Sequence, residues 1–481
     1  MQTLLEVGKK AAEHAQKLGV DEAEIFLYKE NLASVKFVGG IFASRSGAIK
    51  GIKGKLIRIA EPWIKKKGLP IITSGTRAGV GIRAVVKKAV GFTSVSSIEE
   101  KKVLETTEEA FKIARNRPAD SEWDSLPEPK KPKGQSGIFD QKISNLDIDE
   151  TLRLCVDCCV AAGDFDKRIT HAMMGISAAE INFAVVNTRG VEIGDKGTGF
   201  AAFMNTKAKS GDEEVSSGDH VFSRTYAENL QDIAVNASKN TINCLGKKPL
   251  SEKHVGPVVF ENVSWGELFS TTFTSGISAL NVQENRSVYK GKIGKKVASK
   301  NLNIVDDGTM PTGFGTCIAD DEGTPKQKNP IIENGILKSF LYDNYAAKRE
   351  KRESTGNASR QKLFGSAAYA NQPTIRPTNL VTAPSKDNLE DLVRDVGNGV
   401  LVKGSLIGVH TSNVVTGDFS VTAQNAFKIE NGAVAYPLKA CTVAGNLYEA
   451  LNSVIAIGND SKCIGNIICP SVAVEKIVVA T

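Results

Sequence analysis

Two stretches of this chain run through the same order of elements, helix then strands then helix, on either side of a Pro- and Lys-rich segment. That order confines the fold to packed layers of helix and sheet. In the first stretch, Leu4, Leu5, Ala11, Ala12, Ala15 and Leu18 recur at helical spacing and predict a helix over 2–18, stopped at Gly19. Residues 24–44 alternate as a strand, with a break at Gly39–Gly40, and 75–95 read as a hairpin turning at Lys87–Lys88. Ser96 and Glu99 form a capping-box pattern opening a helix through Ala114. From Pro118 to about Gly137 the composition shifts to Pro, Lys, Ser and acids, as in a linker. Beyond it, 147–166 reads as a helix, 176–209 as successive strands and 229–245 as a further helix.

After Lys247–Lys248–Pro249 the pattern changes. One helix is marked by Ser264 and Glu267 as a capping box, continuing through Leu268, Phe269, Phe273, Ile277 and Leu280. Short strands follow, punctuated at Asn334–Gly335, Gly417–Asp418 and Asn431–Gly432. The expectation is an α+β fold, with N-terminal α/β sandwich units followed by a C-terminal, mostly antiparallel β-rich domain. Its parts are 1–118, 119–246 and 247–481.

No apolar run approaches the ~20 residues that span a bilayer, so no membrane association is expected. The N-terminal stretch lacks the pattern of a secretory leader. Eight cysteines without such a leader point to reduced thiols and a cytoplasmic location. The formal net charge of +7 is concentrated in one place. Between Arg45 and Lys67 eight basic residues face the single acid Glu61. This basic insertion, 45–67, reads either as a solvated, partly packed segment or as a contact for an anionic partner. No recognition-helix or zinc-finger pattern accompanies it, and only Trp63 could stack on a base, so nucleic acid is not the expected partner.

The chain is poor in candidate catalysts. Its five histidines are His14, His171, His220, His254 and His410; none precedes a Glu, and no two lie four or five positions apart. A helix with two histidine ligands on one face and a Glu base beside them is therefore missing. Cys155 and Cys158, with Cys159 adjacent, could ligate metal, but they fall on the apolar face of a predicted helix with Leu152 and Val156 and read as buried. Glycine patterns at 79–84 and 197–202 lie within strands and carry no dinucleotide signature. The acidic runs Asp306–Asp307 and Asp320–Gly323 lack calcium-loop spacing and read as acidic surface turns.

Taken in order, a set of short segments resembles the TldD/PmbA (TldE) family of peptidase-complex subunits. They are Gly79-Val-Gly-Ile-Arg83, Asn187-Thr-Arg-Gly190, Gly291-Lys-Ile-Gly294, Asp320-Asp-Glu-Gly323, Asn334-Gly-Ile-Leu337, Ser354-Thr-Gly-Asn357, Arg376-Pro-Thr-Asn379, Thr416-Gly-Asp-Phe-Ser420 and Pro470-Ser-Val. The likeness runs from about Gly19 to the end. It implies a three-part α+β protein that assembles with a related chain. In the TldD branch one helix carries His-Glu-x-x-x-His, and a late Cys-Gly-Lys segment completes a metal site. Counted back from Gly291, that helix falls on Ser264–Leu280, where Ser270 and Ser275 occupy roughly the ligand positions. The late segment reads Ser461-Lys-Cys-Ile-Gly-Asn, with Cys463 outside the Cys-Gly-Lys context.

The resemblance therefore implies the PmbA/TldE branch: a non-catalytic partner subunit of a metallopeptidase that handles unfolded or extended peptides. No catalytic or metal-ligating residue and no cofactor is expected in this chain. Zinc or a similar divalent metal would sit in a TldD-type catalytic partner. Partner or peptide contacts are expected from the family-shared turns, at Asp321, Glu322, Thr355, Asn357, Arg360, Arg376 and Asn379. Two other readings stay open: an autonomous metallopeptidase with a non-standard metal site, and a basic nucleic-acid- or gyrase-associated module.

Overall fold

The computed structural model describes residues 3–39, 68–361 and 367–481, and the basic insertion 45–67 lies outside the described residues. The first helix, Leu4–Leu18, is closed at both ends by its own sequence. The Thr3 hydroxyl accepts from the Glu6 amide, Glu6 reaches back to the Thr3 amide, and Gly19 ends the helix at φ 83°. The expected hairpin forms with Lys87 and Lys88 at φ 48° and 66°, the two positive φ values that a tight two-residue turn requires.

Six strands, β1 (Glu22–Gly39), β2 (Gly68–Val86), β3 (Ala89–Val95), β4 (Ile169–Asn187), β5 (Glu192–Ser210) and β6 (Glu213–Ser223), form one antiparallel sheet in the order β3-β2-β1-β4-β5-β6. β1 pairs with β2 on one side and with β4 on the other, so the sheet runs unbroken across both helix–strands–helix stretches. Strand alternation sorts its two faces. Ala23, Ile25, Leu27, Val35 and Phe37 point to the helical side. There Leu4–Leu18 and Glu100–Arg115 cover one end of the sheet, and Ile148–Phe165 and Leu230–Ile242 cover the other. Ile25, Leu27, Val35 and Phe37 each contribute roughly 1.5–3 kcal/mol by leaving water. Cys155, Cys158 and Cys159 belong to this second core as free, buried thiols.

The Pro- and Lys-rich segment is tied down along its first half. Trp123 Nε1 and the Leu126 amide donate to the Glu22 carboxylate at 3.1 Å, and Leu126 is fully buried. The Ser125 carbonyl accepts from the Asn344 side chain, and Glu122 pairs with Arg349 at 2.6 Å. This stretch thereby straps the sheet to the C-terminal half.

In that half, strands Gly399–Ile407, His254–Phe260, Val472–Ala480, Cys441–Asn446 and Asp418–Glu430 pair in a closed circuit, because the last also pairs with the first. Ala433–Leu438 adds to Asp418–Glu430 through a hairpin at Asn431–Gly432, where φ is 51° and 76°. Pairing is antiparallel except at Val400–Val402 against Val258–Phe260, and at Leu380–Val381 against Ile467–Ile468, among the described strands. The C-terminal region is thus β-rich and mostly antiparallel.

Two capping patterns do not form as expected. Ser96 bonds to the Tyr369 hydroxyl at 3.0 Å, and the helix begins later, at Glu100. Ser264 lies inside a helix that starts at Asn262, its hydroxyl donating to the Gly404 carbonyl at 2.6 Å, while Glu267 accepts from the Leu406 amide. In both cases a tertiary partner outcompetes the local cap. This helix passes through a π turn at Phe269–Phe273. Trp265, Phe269 and Phe273 stack along it and continue onto Tyr289 and Tyr448, with successive ring centroids 4.7–6.1 Å apart.

Candidate functional site

The face of the sheet opposite the helices meets the C-terminal half along Glu24, Phe26, Tyr28 and Glu30. The glycines of β2 permit this approach. A methyl group on Gly81 would lie 2.2 Å from the Tyr369 carbonyl oxygen, and one on Gly79 would lie 2.5 Å from the Tyr369 ring. At the junction sits a buried charge network. Arg83 Nη2 donates to Glu24 Oε2 at 2.8 Å and to Glu322 Oε1 at 2.7 Å, and Arg360 Nη2 donates to the other Glu24 oxygen. All four side chains are buried, and in the hydrogen-bonded network two cations meet two carboxylates, with Asp343 facing Arg83 and Asp321 facing Arg360 at its edges. Burial opposes the charge on Arg83, but Glu24 and Glu322 outweigh it and raise its pKa.

The acidic runs correct the expectation of surface turns. Asp306, Asp320 and Glu322 are each 1 % exposed. Asp320 accepts from the amides of Glu322, Thr324 and Ala358, and Asp306 from those of Thr378 and Asn379 and from Asn357 Nδ2. These carboxylates serve as internal caps for loops that no ladder satisfies.

The seven expected contact residues divide accordingly. Glu322, Asn357, Arg360 and Asn379 are enclosed, their polar atoms hydrogen-bonded within the chain. Thr355 is half-buried and bonds to the Tyr342 amide at 2.7 Å and to Asn357 at 2.6 Å. Asp321 and Arg376 reach open space, in a crevice of about 430 Å³ between the sheet face and the C-terminal half.

Sequence reasoning missed the rest of that crevice. Tyr28, Arg224, the loop residues Phe314 and Cys317, and Lys326 line it from stretches far apart in the chain, and no local motif joins Tyr28 or Arg224 to the others. Burial raises the pKa of Tyr28, Glu30, Asp195, Cys317 and Asp321 and lowers that of Arg224 and Arg376. A Cys317 thiol raised in this way is a poor nucleophile, and its hydrogen goes to the Ala319 carbonyl.

The helix expected to align with a metal-bearing helix was tested for its donors. Ser270 donates to the Glu267 carbonyl, Ser275 accepts from Asn281, and the Cys463 thiol donates to the Gly465 carbonyl at 3.2 Å. Two hydroxyls and a single thiol do not make the nitrogen and thiolate set that holds zinc. Among the described residues no group of three or more His, Cys, Asp or Glu is placed to hold a metal ion. His220, unremarkable in the sequence, lies against this late segment, its Nε2 3.2 Å from the Cys463 carbonyl.

Models of the PmbA/TldA metallopeptidase domain 1, central domain and C-terminal domain match residues 66–114, 141–245 and 253–481. An uncharacterized protein of Methanocaldococcus jannaschii is 31 % identical over 414 residues, covering 84 % of this chain and 90 % of its own. A metalloprotease PmbA homolog of Haemophilus influenzae is 25 % identical over 424 residues, covering 82 % and 84 %. The crystal structure of TldE from Thermococcus kodakarensis superposes with a TM-score of 0.84 at 27 % identity, over 99 % of this chain and 100 % of that one. With all three domain models in order and a TldE fold over its length, the chain is a PmbA/TldE-like member of the PmbA/TldD metallopeptidase family.

Proposed function

We propose that this chain is the partner subunit, without its own metal centre, of a heteromeric metallopeptidase that cleaves or processes unfolded peptides. The observation that carries the reading is the donor set at the helix Asn262–Gly276 and at Cys463. At the aligned positions Ser270 and Ser275 and at Cys463 the side chains are two hydroxyls and a carbonyl-bonded thiol, Glu267 is engaged by the Leu406 amide, and the helix packs Trp265, Phe269 and Phe273 into the core. A metallopeptidase needs ligands for its metal, a polarised water and a cleft that rejects folded substrates. The metal, zinc or a similar divalent ion, would be held by a TldD-type chain. This chain would wall its cleft and restrict entry to extended peptides in the cytoplasm. No step of the cleavage is assigned to residues of this chain.

Mixing the purified chain with the TldD-type chain of the same cell tests the association. The expected result is a species of defined mass containing both chains by light scattering. Two chains that migrate independently at micromolar concentration would contradict it.

A further inference from the structure

We propose that the crevice between the sheet and the C-terminal half is a binding site for a small apolar molecule bearing one free carboxylate, held by Arg224 and Arg376. This goes beyond the partner-subunit reading and does not require it. The argument begins with charge. Arg224 donates from Nη1 to the Thr198 carbonyl at 2.8 Å and from Nη2 to the Thr316 carbonyl at 2.9 Å, and it makes no ion pair with a described residue. Its Nε is enclosed and has no partner. The Arg376 guanidinium has no partner among the described residues, although its backbone is fixed on both sides by Asn357. Lys326, on the same wall, donates to the Gly356 carbonyl and the Thr378 hydroxyl, and its charge faces Asp306, Asp320 and Asp321. Cations withdrawn from water without a counter-charge are costly, and a bidentate carboxylate is what a guanidinium fork matches.

Four acids share the crevice, and each is already engaged. Asp320 accepts three amides, Asp321 accepts the Arg360 amide and Asp195 accepts the Lys196 amide. Glu30 faces Arg77 and the Tyr28 hydroxyl. Asp195 faces Arg224 without closing to an ion pair, whereas no carboxylate faces Arg376 among the described residues, so the uncompensated charge is positive and centred on Arg376, with the Arg224 fork beside it. Beside it, Phe26, Ile181, Phe183 and Phe314 supply an apolar wall. Gly197 leaves room for the cation: a methyl group there would lie 3.1 Å from Arg224 Nη1. The volume suits a small ligand, since such pockets run from about 300 to 1,000 Å³. The carboxylate could come from a peptide C-terminus or from a short fatty acid, which present the same chemistry.

Titration calorimetry of the full chain with four probes tests this: hexanoate, hexanamide, N-acetyl-Leu-Phe as the free acid, and the same peptide as its C-terminal amide. The acids are expected to bind at least about tenfold more tightly than the matching amides. The tighter of the two acids identifies the source. Arg376→Gln should weaken the acids about tenfold and leave the amides unchanged, with no shift in unfolding midpoint, because its guanidinium has no partner to lose. Gly197→Ala, which crowds Arg224, should weaken the same two probes. Equal binding of acids and amides would overturn the proposal. So would acid binding unchanged in both variants, or no acid binding at millimolar concentration.

Discussion

Neutralising one member of the buried charge network should destabilise the protein by an amount the geometry sets. Glu322→Gln keeps the shape of the side chain and an acceptor for the Asn344 amide, 2.9 Å away, but removes one of two negative charges. Arg83 and Arg360 then share Glu24 as their one hydrogen-bonded carboxylate, with Asp343 and Asp321 facing them without an ion pair, at a site where the paired side chains are 0–5 % exposed. Breaking a buried pair from one side costs roughly 3–5 kcal/mol, and that is the expected loss. Arg83→Met should cost a similar amount by leaving a surplus carboxylate. The double variant restores balance, with Arg360 and Glu24 still paired. Its cost should therefore fall below the sum of the singles by about 2 kcal/mol. Equilibrium urea unfolding followed by tryptophan fluorescence and by far-UV circular dichroism measures all four proteins, and coincident curves license the free energies. Single variants within about 0.5 kcal/mol of the parent, or strictly additive costs, would refute the reasoning.

Three further outcomes follow from the same structure. Gly81→Ala places a methyl 2.2 Å from a backbone oxygen of Tyr369, and should lower stability by about 1–3 kcal/mol in the same urea assay. His220, held neutral by burial and by Lys462, has a pKa below 6.5. The unfolded chain therefore binds the proton more readily, and the stability this group contributes is complete above about pH 6.5 and lost as pH falls through its folded pKa. His220→Gln should flatten that part of the stability–pH curve, and an unchanged slope would contradict the assignment. Among the described residues the exposed Lys133–Gly134 bond should be open to trypsin, yet the pieces on its two sides should co-elute on size exclusion, because β1 stays paired with β4.

Local chemistry was readable where it acts alone. Gly19 stops its helix, Lys87–Lys88 and Asn431–Gly432 turn their hairpins, and the cysteines of Ile148–Phe165 are buried along an apolar face. What failed depended on partners far along the chain. Asp320–Gly323 read as a solvated turn because the cation that meets Glu322 is 239 residues away at Arg83. Ser96 and Ser264 carry cap patterns that are captured by Tyr369 and Gly404. The sharing of one sheet by two helix–strands–helix stretches rests on the pairing of β1 with β4, for which the alternation of each strand contains no address. The crevice was illegible for the same reason, since Tyr28, Arg224, Cys317 and Arg376 converge only after folding.

The central claim, a partner subunit without its own metal, is tested most directly by a paired peptidase assay on an unfolded casein substrate. The chain alone, the TldD-type chain of the same cell alone and the two together are assayed, with bound metal quantified in each. The account predicts cleavage by the pair, metal in the TldD-type chain, and neither in this chain alone. Stoichiometric metal and casein cleavage by this chain in isolation would contradict it.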